Sequence, residues 1–109
     1  MIHRLKIDAS YFGAVQRGNK TFELRREDDR HFAAGDTLIL TEIDDPNVET
    51  DEETGITTRD TAHLVPTGRT LNVAVTYVLR NREWLQPGVA ALGIRLVKGA
   101  RQDKEVPHD

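Results

Sequence analysis

The chain has 109 residues and a mass of 12.3 kDa, which accommodates one domain, because independently folding domains most often contain roughly 100 to 150 residues. It is 38% hydrophobic and 30% charged, with no cysteine, so disulfides, thiolate metal sites, iron–sulfur clusters and cysteine nucleophiles are excluded. No segment approaches the ~20 consecutive apolar residues of a membrane span, and the N-terminus lacks an apolar signal core. We therefore expect a cytoplasmic protein that does not bind membranes.

Charge is distributed unevenly along the chain, although its formal net value is only −3. Seven carboxylates and no lysine or arginine lie between residues 42 and 53: Glu42, Asp44, Asp45, Glu49, Asp51, Glu52 and Glu53. Subtracting these seven from the 18 acidic residues leaves 11 against 15 basic ones, a net charge of +4 for the remainder. A basic remainder can present a positive face to an anionic ligand, which permits nucleic-acid binding.

The N-terminal segment is predicted to form a strand followed by a short helix. Residues 2–7 alternate imperfectly between apolar and polar side chains, as a short strand does. Residues 9–17 are predicted to be helical, because Asp8 can cap the helix and Gly18 suits a left-handed stop. Three apolar side chains fall on one face of this helix: Tyr11, Phe12 and Val15.

Two further strands are predicted before the acidic segment. Residues 21–26 alternate by two, which indicates a half-buried strand. Its two sides differ in chemistry: Phe22 and Leu24 lie on one, and Thr21, Glu23 and Arg25 on the other. Residues 37–43 follow a turn and are rich in residues that favour strands.

The second half of the chain contains a long loop and a charged tail. Residues 44–67 show no sustained period and carry many acids, so we expect an acidic loop that is either mobile or a lid. Residues 98–109 lack a hydrophobic pattern and are predicted to form a disordered tail. The folded domain is accordingly expected to span residues 1–97.

The remaining segments complete the predicted fold. Residues 70–79 alternate strictly and are predicted to form a central strand, whereas residues 89–97 supply a last apolar strand. Between them, residues 81–88 form a turn or a short helix. Five strands with one or two short helices predict an α+β, mainly β fold, organised as a small mixed β-barrel.

One motif stands out within the second predicted strand. The run Gly18-Asn19-Lys20-Thr21-Phe22-Glu23-Leu24-Arg25 has the form G-x-K-x-x-E-x-R. It resembles the signature of the ASCH domain, a relative of the PUA-like RNA-binding folds, in a branch of small bacterial and phage proteins. The likeness is strong over residues 3–43, resumes over residues 67–78 and is faint over residues 89–96. This resemblance implies a β-barrel with a cleft, lined by the motif, that suits RNA or a modified nucleobase.

Strand geometry gives the motif a physical rationale of its own. Glu23 and Arg25 would lie on one face roughly 6 to 7 Å apart, with Lys20 at the mouth of the strand. Lys20 and Arg25 could bind phosphate, while Glu23 orients them or accepts a hydrogen bond from a base amine. The alternative is that Glu23 and Arg25 pair on a solvated sheet surface and have no function.

Several other residues are candidates for the same site. Lys6 could face the cleft or be solvated, and Arg26 extends the basic patch or offsets neighbouring acids. Trp84 could stack on bases, as aromatic side chains of single-strand binders do, whereas Tyr77 is assigned to the core. The histidines lack the spacing of metal ligands, so we expect no metal and no cofactor.

Two functional classes follow from these residues. The first is a domain that binds RNA or a modified nucleoside without turnover. The second is implied by the ASCH branch that hydrolyses the acetamide of N4-acetylcytidine with a threonine, a lysine and a glutamate. Lys20 matches that lysine, but this chain has Glu23 at the position of the threonine. Thr21 would be the nearby hydroxyl and Glu83 a distal carboxylate.

Other roles also stay open. Glu23 could act as a general base for water, and Lys20 with Glu23 could cleave RNA by acid–base catalysis. A protein-interaction role is a third class. We expect a binder whose nucleic-acid-binding residues are Lys6, Lys20, Glu23, Arg25, Arg26 and Trp84, with Lys20, Thr21 and Glu23 catalytic only if the protein is an enzyme. The oligomeric state stays open.

Overall fold

The computed structural model describes residues 1–44, 49–50, 52–55, 57–58 and 64–102. Its elements in chain order are β1 (Ile2–Asp8), α1 (Ala9–Gln16), β2 (Phe22–Arg26), β3 (Thr37–Asp44), β4 (Glu49–Thr50), β5 (Thr57–Thr58), β6 (Val65–Leu79) and β7 (Val89–Gln102). The predicted mainly β fold with a short helix is confirmed. Within the described residues, no helix is long and apolar enough to cross a membrane.

Five strands form one mixed sheet that curves into a half-barrel. Their order is β1-β3-β6-β7-β2, in which β1 and β3 are parallel and the other neighbours are antiparallel. The two edge strands, β1 and β2, are therefore consecutive strands of the chain, joined by α1. This arrangement leaves the motif of β2 on an edge of the sheet.

The core lies between one face of the sheet and one face of α1. Strands β3, β6 and β7 contribute alternate apolar side chains, as expected for strands with one buried face. Each such side chain contributes roughly 1.5 to 3 kcal/mol when fully buried. The buried apolar residues are Ile7, Phe12, Val15, Phe32, Leu38, Leu40, Leu71, Val73, Val75, Ala90, Leu92 and Ile94.

The helix α1 begins at the predicted residue and ends at Gln16, one residue before the predicted end. The Asp8 carboxylate accepts hydrogen bonds from the Ser10 backbone N–H at 2.9 Å and the Ser10 hydroxyl at 2.7 Å, which caps the first turn. Gly18 adopts a φ of +77°, a conformation that suits glycine because it lacks a Cβ. The predicted apolar face is only partly buried, since Phe12 and Val15 are enclosed while Tyr11 is exposed.

The last strand is longer than the sequence predicts. β7 runs to Gln102 and pairs with β6 at Lys98, opposite Asn72. The predicted boundary at residue 97 is therefore wrong for residues 98–102, which belong to the sheet. Backbone ladder bonds hold this polar end, and the side-chain oxygen of Gln16 on α1 accepts a hydrogen bond from the Ala100 N–H at 2.6 Å. Residues 103–109 lie outside the described residues.

The predicted acidic loop is also shorter at its C-terminal end. β6 begins at Val65, so residues 65–67 belong to the sheet. Within the rest of the segment, β4 and β5 pair in a small antiparallel hairpin. The prediction that this loop is mobile or a lid falls mostly on residues outside the described ones. The segment 81–88 forms turns, closed by backbone hydrogen bonds from Leu85 to Arg82 and from Val89 to Gln86.

Candidate functional site

The inner face of β2 carries the charged residues of the motif. In the ladder with β7, Glu23 lies opposite Leu92 and Arg25 opposite Ala90, and both partners are fully buried. Directly opposed residues of antiparallel strands share a face, so Glu23 and Arg25 point inward. Glu23 is only 6% exposed. The predicted pairing on one face is thus correct, but the alternative of a solvated surface pair is wrong.

The outer face of β2 carries two apolar side chains that are open to solvent. Phe22 is 53% exposed and Leu24 is 51% exposed. Gly93 lies opposite Phe22 and also pairs with Tyr77 on the other side. Tyr77 is 63% exposed, so its assignment to the core is wrong. Exposed apolar side chains grouped beside buried charges are typical of a binding surface rather than of a core.

The three motif residues meet in one charged cluster. The Glu23 carboxylate accepts a hydrogen bond from Lys20 Nζ at 2.7 Å and another from Arg25 Nη2 at 2.9 Å. Lys20 Nζ also donates to the Phe22 carbonyl at 2.8 Å, and Arg25 Nη2 donates to the Lys6 carbonyl at 2.6 Å. One carboxylate is therefore held between two cations, which are themselves tied to the backbone.

Arginine side chains join the two edges of the half-barrel. The bond from Arg25 to the Lys6 carbonyl links β2 to β1. Arg30, in the segment that follows β2, donates from Nη1 to the Arg4 carbonyl on β1 at 3.3 Å. We call this junction of β1 and β2 the seam. Side chains rather than a backbone ladder therefore span the seam.

A cleft of about 270 Å³ opens beside the charged cluster. We call it the lysine cleft, and it is lined by Tyr11, Lys20, Phe22, Glu23 and Leu24. The Lys20 ammonium lies 5.2 Å from the centroid of the Tyr11 ring and 5.0 Å from that of the Phe22 ring, within the range of cation–π attraction. The lysine is thereby fixed between two exposed aromatic rings.

The lysine cleft retains hydrogen-bonding capacity that the cluster does not use. An ammonium group has three N–H donors, of which Lys20 gives one each to Glu23 and the Phe22 carbonyl. A carboxylate has about four lone-pair sites, and two cations occupy one each in Glu23. Both groups therefore keep hydrogen-bonding sites that no residue described by the structure occupies.

A second cleft of about 460 Å³ lies on the other side of Leu24. We call it the tryptophan cleft, and its walls include Leu24, Arg25, Arg26, Trp84 and Gln86. Trp84 is 70% exposed and stands on the turn segment 81–88. The predicted candidates Arg26 and Trp84 thus share a cleft, and this cleft adjoins the one that contains Lys20.

Three other candidates lie outside the charged cluster. Lys6 contributes its carbonyl to the cluster, while its side chain is exposed. Thr21 is exposed and its carbonyl accepts the Ile94 N–H at 3.0 Å. Glu83 lines a separate cleft of about 350 Å³ within the segment 81–88. The structure therefore does not place Glu83 on the lysine cleft.

Tyr11 and Phe22 are the site residues that the sequence prediction missed. Both were assigned to apolar faces, yet their rings flank Lys20. The parity of β2 contains the signal for Phe22, because a motif strand that turns Glu23 inward must turn Phe22 outward. The sequence contains no comparable signal for Tyr11, whose neighbour Phe12 is fully buried.

Two carboxylates outside the clefts are held ionised by specific partners. A hydrogen bond from His3 at 2.8 Å, helped by the Ala33 N–H, lowers the pKa of Asp36 to about 2 against the opposing effect of burial. The Arg80 guanidinium, which donates to both oxygens of Glu27 at 2.8 and 3.0 Å, lowers the pKa of Glu27. The contacts of Asp36 hold the turn before β3 against β1. The pair of Glu27 and Arg80 holds the end of β2 against the end of β6.

Acidic and histidine side chains do not gather into a metal site in the part of the chain that the structure describes. There, no group of three or more histidine, aspartate or glutamate residues is placed to hold a metal ion.

Comparison with known proteins assigns the chain to a family and identifies a similar phage protein. A protein of Escherichia phage P2, described as "Uncharacterized 12.9 kDa protein in GpA 3'region", is 49% identical over 41 residues. That match covers 38% of this chain and 37% of the phage protein. Residues 2–94 match the family described as "Domain of unknown function (DUF3850)", a range that extends from β1 into β7 and contains both clefts. The chain therefore belongs to the DUF3850 family.

Proposed function

We propose that the protein binds RNA or a modified nucleoside by taking a base into the lysine cleft. One observation carries this proposal: Glu23 is buried between Lys20 and Arg25, while the rings of Tyr11 and Phe22 stay exposed beside it. A strand organised for stability alone would bury its apolar side and solvate its charges. Places where a chain departs from such rules are most often functional sites.

The unused hydrogen-bonding groups of the cleft fit one kind of base edge. Glu23 has lone pairs for an exocyclic amine, and Lys20 has an N–H for an acceptor beside that amine. Cytosine and adenine each present an exocyclic amine next to an unprotonated ring nitrogen on their Watson–Crick edge. Such a base would satisfy both residues at once, without displacing the bonds between them.

Aromatic and cationic groups supply the second half of base recognition. The rings of Tyr11 and Phe22 line the cleft and are about half exposed, and unstacked bases are commonly held on aromatic side chains. The resemblance of the motif to the ASCH signature points towards RNA or a modified nucleobase as well. The support for binding therefore comes from both the shape and the polarity of the cleft.

Hydrolysis is the second candidate, because Lys20 and Glu23 form a close acid–base pair. Their 2.7 Å separation is a distance at which a proton can be exchanged. Lys20, however, donates to two acceptors and lies between two aromatic rings. Hydrolysis would use only the pair of Lys20 and Glu23, whereas binding of a base would also use the two rings. The binding experiment described next can also detect turnover, because its ligands include N4-acetylcytidine and RNA.

The test compares Lys20→Met with Lys98→Met. Lys98 is an exposed lysine near the far end of β7, so its replacement removes the same charge away from the cleft. Titration of cytidine, N4-acetylcytidine and a short single-stranded RNA by calorimetry is expected to show at least tenfold weaker binding for Lys20→Met, since hydrogen bonds to charged groups contribute roughly 1.5 to 3 kcal/mol. Lys98→Met is expected to bind as the wild type does.

Each other outcome has a defined meaning. Deacetylation or RNA cleavage that is lost in Lys20→Met would identify the lysine cleft as an active site. If the wild type binds none of the three ligands, or if Lys20→Met binds them normally, the proposal is refuted. Thermal unfolding of both variants confirms that the comparison is made between folded proteins.

A further inference from the structure

We infer that the ligand is a single-stranded nucleic acid rather than a free nucleoside, because the tryptophan cleft is built to hold the nucleotide next to the one in the lysine cleft. This inference rests on the proposed function and adds to it the length of the ligand. It concerns a second binding position, formed mainly by Trp84 and Arg26.

The two clefts are adjacent along one strand. Leu24 forms a wall of both, while Phe22 faces the first and Arg26 the second. Four residue steps separate Phe22 from Arg26, a distance of about 13 Å at the usual rise of a strand. A free nucleoside in the lysine cleft would leave the tryptophan cleft empty, whereas a strand could occupy both.

The chemistry of the tryptophan cleft suits a nucleotide. Two arginines and no carboxylate are among its described lining residues. Arg25 is already engaged by Glu23, but Arg26 forms no ion pair with any residue that the structure describes and is exposed. A free guanidinium can bind a phosphate through two parallel hydrogen bonds. Arg26 is therefore available for the phosphate that links two successive nucleotides.

Trp84 supplies the stacking surface that the second position needs. Its side chain is 70% exposed on a turn, where it contributes little to the core. Aromatic faces stack on successive bases in proteins that bind single strands. An acidic peptide could also contact Arg26, but the exposed rings of Trp84, Tyr11 and Phe22 beside the two clefts are the kind of surface on which successive bases stack.

The experiment compares a five-residue cytidine RNA with free cytidine. Affinities are measured for the wild type, Trp84→Ala, Trp84→Phe and Arg26→Met, with Lys98→Met as the charge control. The wild type is expected to bind the RNA much more tightly than cytidine. Trp84→Ala should lose roughly tenfold or more in RNA affinity and retain its cytidine affinity, and Trp84→Phe should recover most of the loss.

Salt dependence tests the role of Arg26 separately. The affinity for RNA falls as the salt concentration rises, and a plot of log affinity against log salt concentration has a negative slope. In Arg26→Met this slope is expected to be shallower by about 0.7, the value of one phosphate contact to a single strand. Lys98→Met should leave the slope unchanged. An equal slope in Arg26→Met and the wild type would show that Arg26 does not bind phosphate.

The outcomes also separate this inference from the proposed function. If cytidine binds as tightly as the RNA, or if Trp84→Ala binds RNA normally, the inference is overturned and nucleoside binding stands. If Trp84→Ala weakens cytidine as much as RNA, there is one site and not two. A polyglutamate peptide that displaces the RNA would assign the cleft to acidic protein segments. If neither cytidine nor RNA binds, both proposals fall together.

Discussion

Glu23 illustrates how a single carboxylate can organise a site. Its oxygens are held separately by Lys20 and Arg25, and all three side chains are largely withdrawn from solvent. Removing ionic groups from water costs several kcal/mol, which their attraction only roughly offsets. The cluster is therefore a weak source of stability. Its main effect is to fix the ammonium of Lys20 and the guanidinium of Arg25 in position at the cleft.

Asp36 is expected to make the stability of the protein depend on pH in the acid range. Its pKa is lowered from 3.8 to about 2 in the folded state, so the folded protein binds its proton less readily than the unfolded chain does. The stabilisation is complete above about pH 4 and is lost as the pH falls towards 2. The shift corresponds to about 2 kcal/mol of unfolding free energy.

Urea unfolding of Asp36→Asn at several pH values tests this expectation. The variant should be about 2 kcal/mol less stable than the wild type at pH 7, and the difference should shrink below pH 4. Asp29→Asn is the control, because the Asp29 side chain is 80% exposed and such substitutions usually change stability by less than about 0.5 kcal/mol. A difference that is equal at pH 7 and pH 3 would rule out the charge of Asp36 as the cause.

At the level of elements, the sequence pattern of β2 predicts the strand but not which of its two faces is buried. Alternation by two predicts the strand and places Glu23 and Arg25 on one face, as found. It does not say which face meets the core, since moving a strand by one residue exchanges its two faces. That choice depends on the partner strand: Leu92 and Ala90 of β7 lie opposite the charged pair.

Matched leucine truncations test the orientation of β2. Leu24 is 51% exposed and Leu92 is fully buried, although both lie in regular strands. Leu92→Ala should lower the unfolding free energy by 2 to 5 kcal/mol, the usual cost for a core leucine. Leu24→Ala should cost about 1 kcal/mol or less. Equal losses in chemical denaturation would contradict the outward orientation of Leu24.

The sequence pattern does not predict the C-terminal end of β7, for a different reason. Residues 98–102 have no apolar alternation, so nothing in the pattern marks them as a strand. They are held by ladder bonds to β6 and by the bond between Gln16 and Ala100. Backbone hydrogen bonds depend on a neighbouring edge rather than on side-chain type, and such an edge cannot be seen in one sequence.

On the scale of the whole molecule, the pair of Glu27 and Arg80 connects distant parts of the chain. Arg80 Nε and Nη2 donate to the two carboxylate oxygens of Glu27, and Nη2 also donates to the Phe32 carbonyl at 2.7 Å. The Phe32 N–H in turn donates to Glu27 at 3.0 Å. The ends of β2 and β6 and the segment between β2 and β3 are fastened at one point.

Arg80→Lys tests the importance of this connection. Lysine keeps the positive charge but cannot reproduce the planar pair of donors, so the unfolding free energy should fall by about 1 to 2 kcal/mol. Arg82→Lys, at an exposed position in the neighbouring turn, should leave it unchanged. Equal thermal denaturation of the two variants would show that charge alone, and not bidentate geometry, secures the pair.

The two clefts differ in how far the sequence predicts them. The motif alone assembles Lys20, Glu23 and Arg25, since its spacing places them at one end of a strand. The tryptophan cleft joins Arg26 to Trp84 across residues far apart in sequence, and only the pairing of β2 with β7 brings them together. The sequence named Arg26, Trp84, Lys20 and Glu23 as candidates for one site, whereas the topology divides them between two adjacent clefts.

The strand order also determines when the two clefts can form during synthesis. Among the described residues, β2 has one ladder partner, β7, which is the last strand of the chain. Although the motif lies near the N-terminus, it cannot be fixed in place until residues 89–102 have left the ribosome. Long-range pairing of this kind slows folding. A nascent chain that lacks β7 should therefore contain the complete motif but leave β2 without the ladder that holds it beside the two clefts.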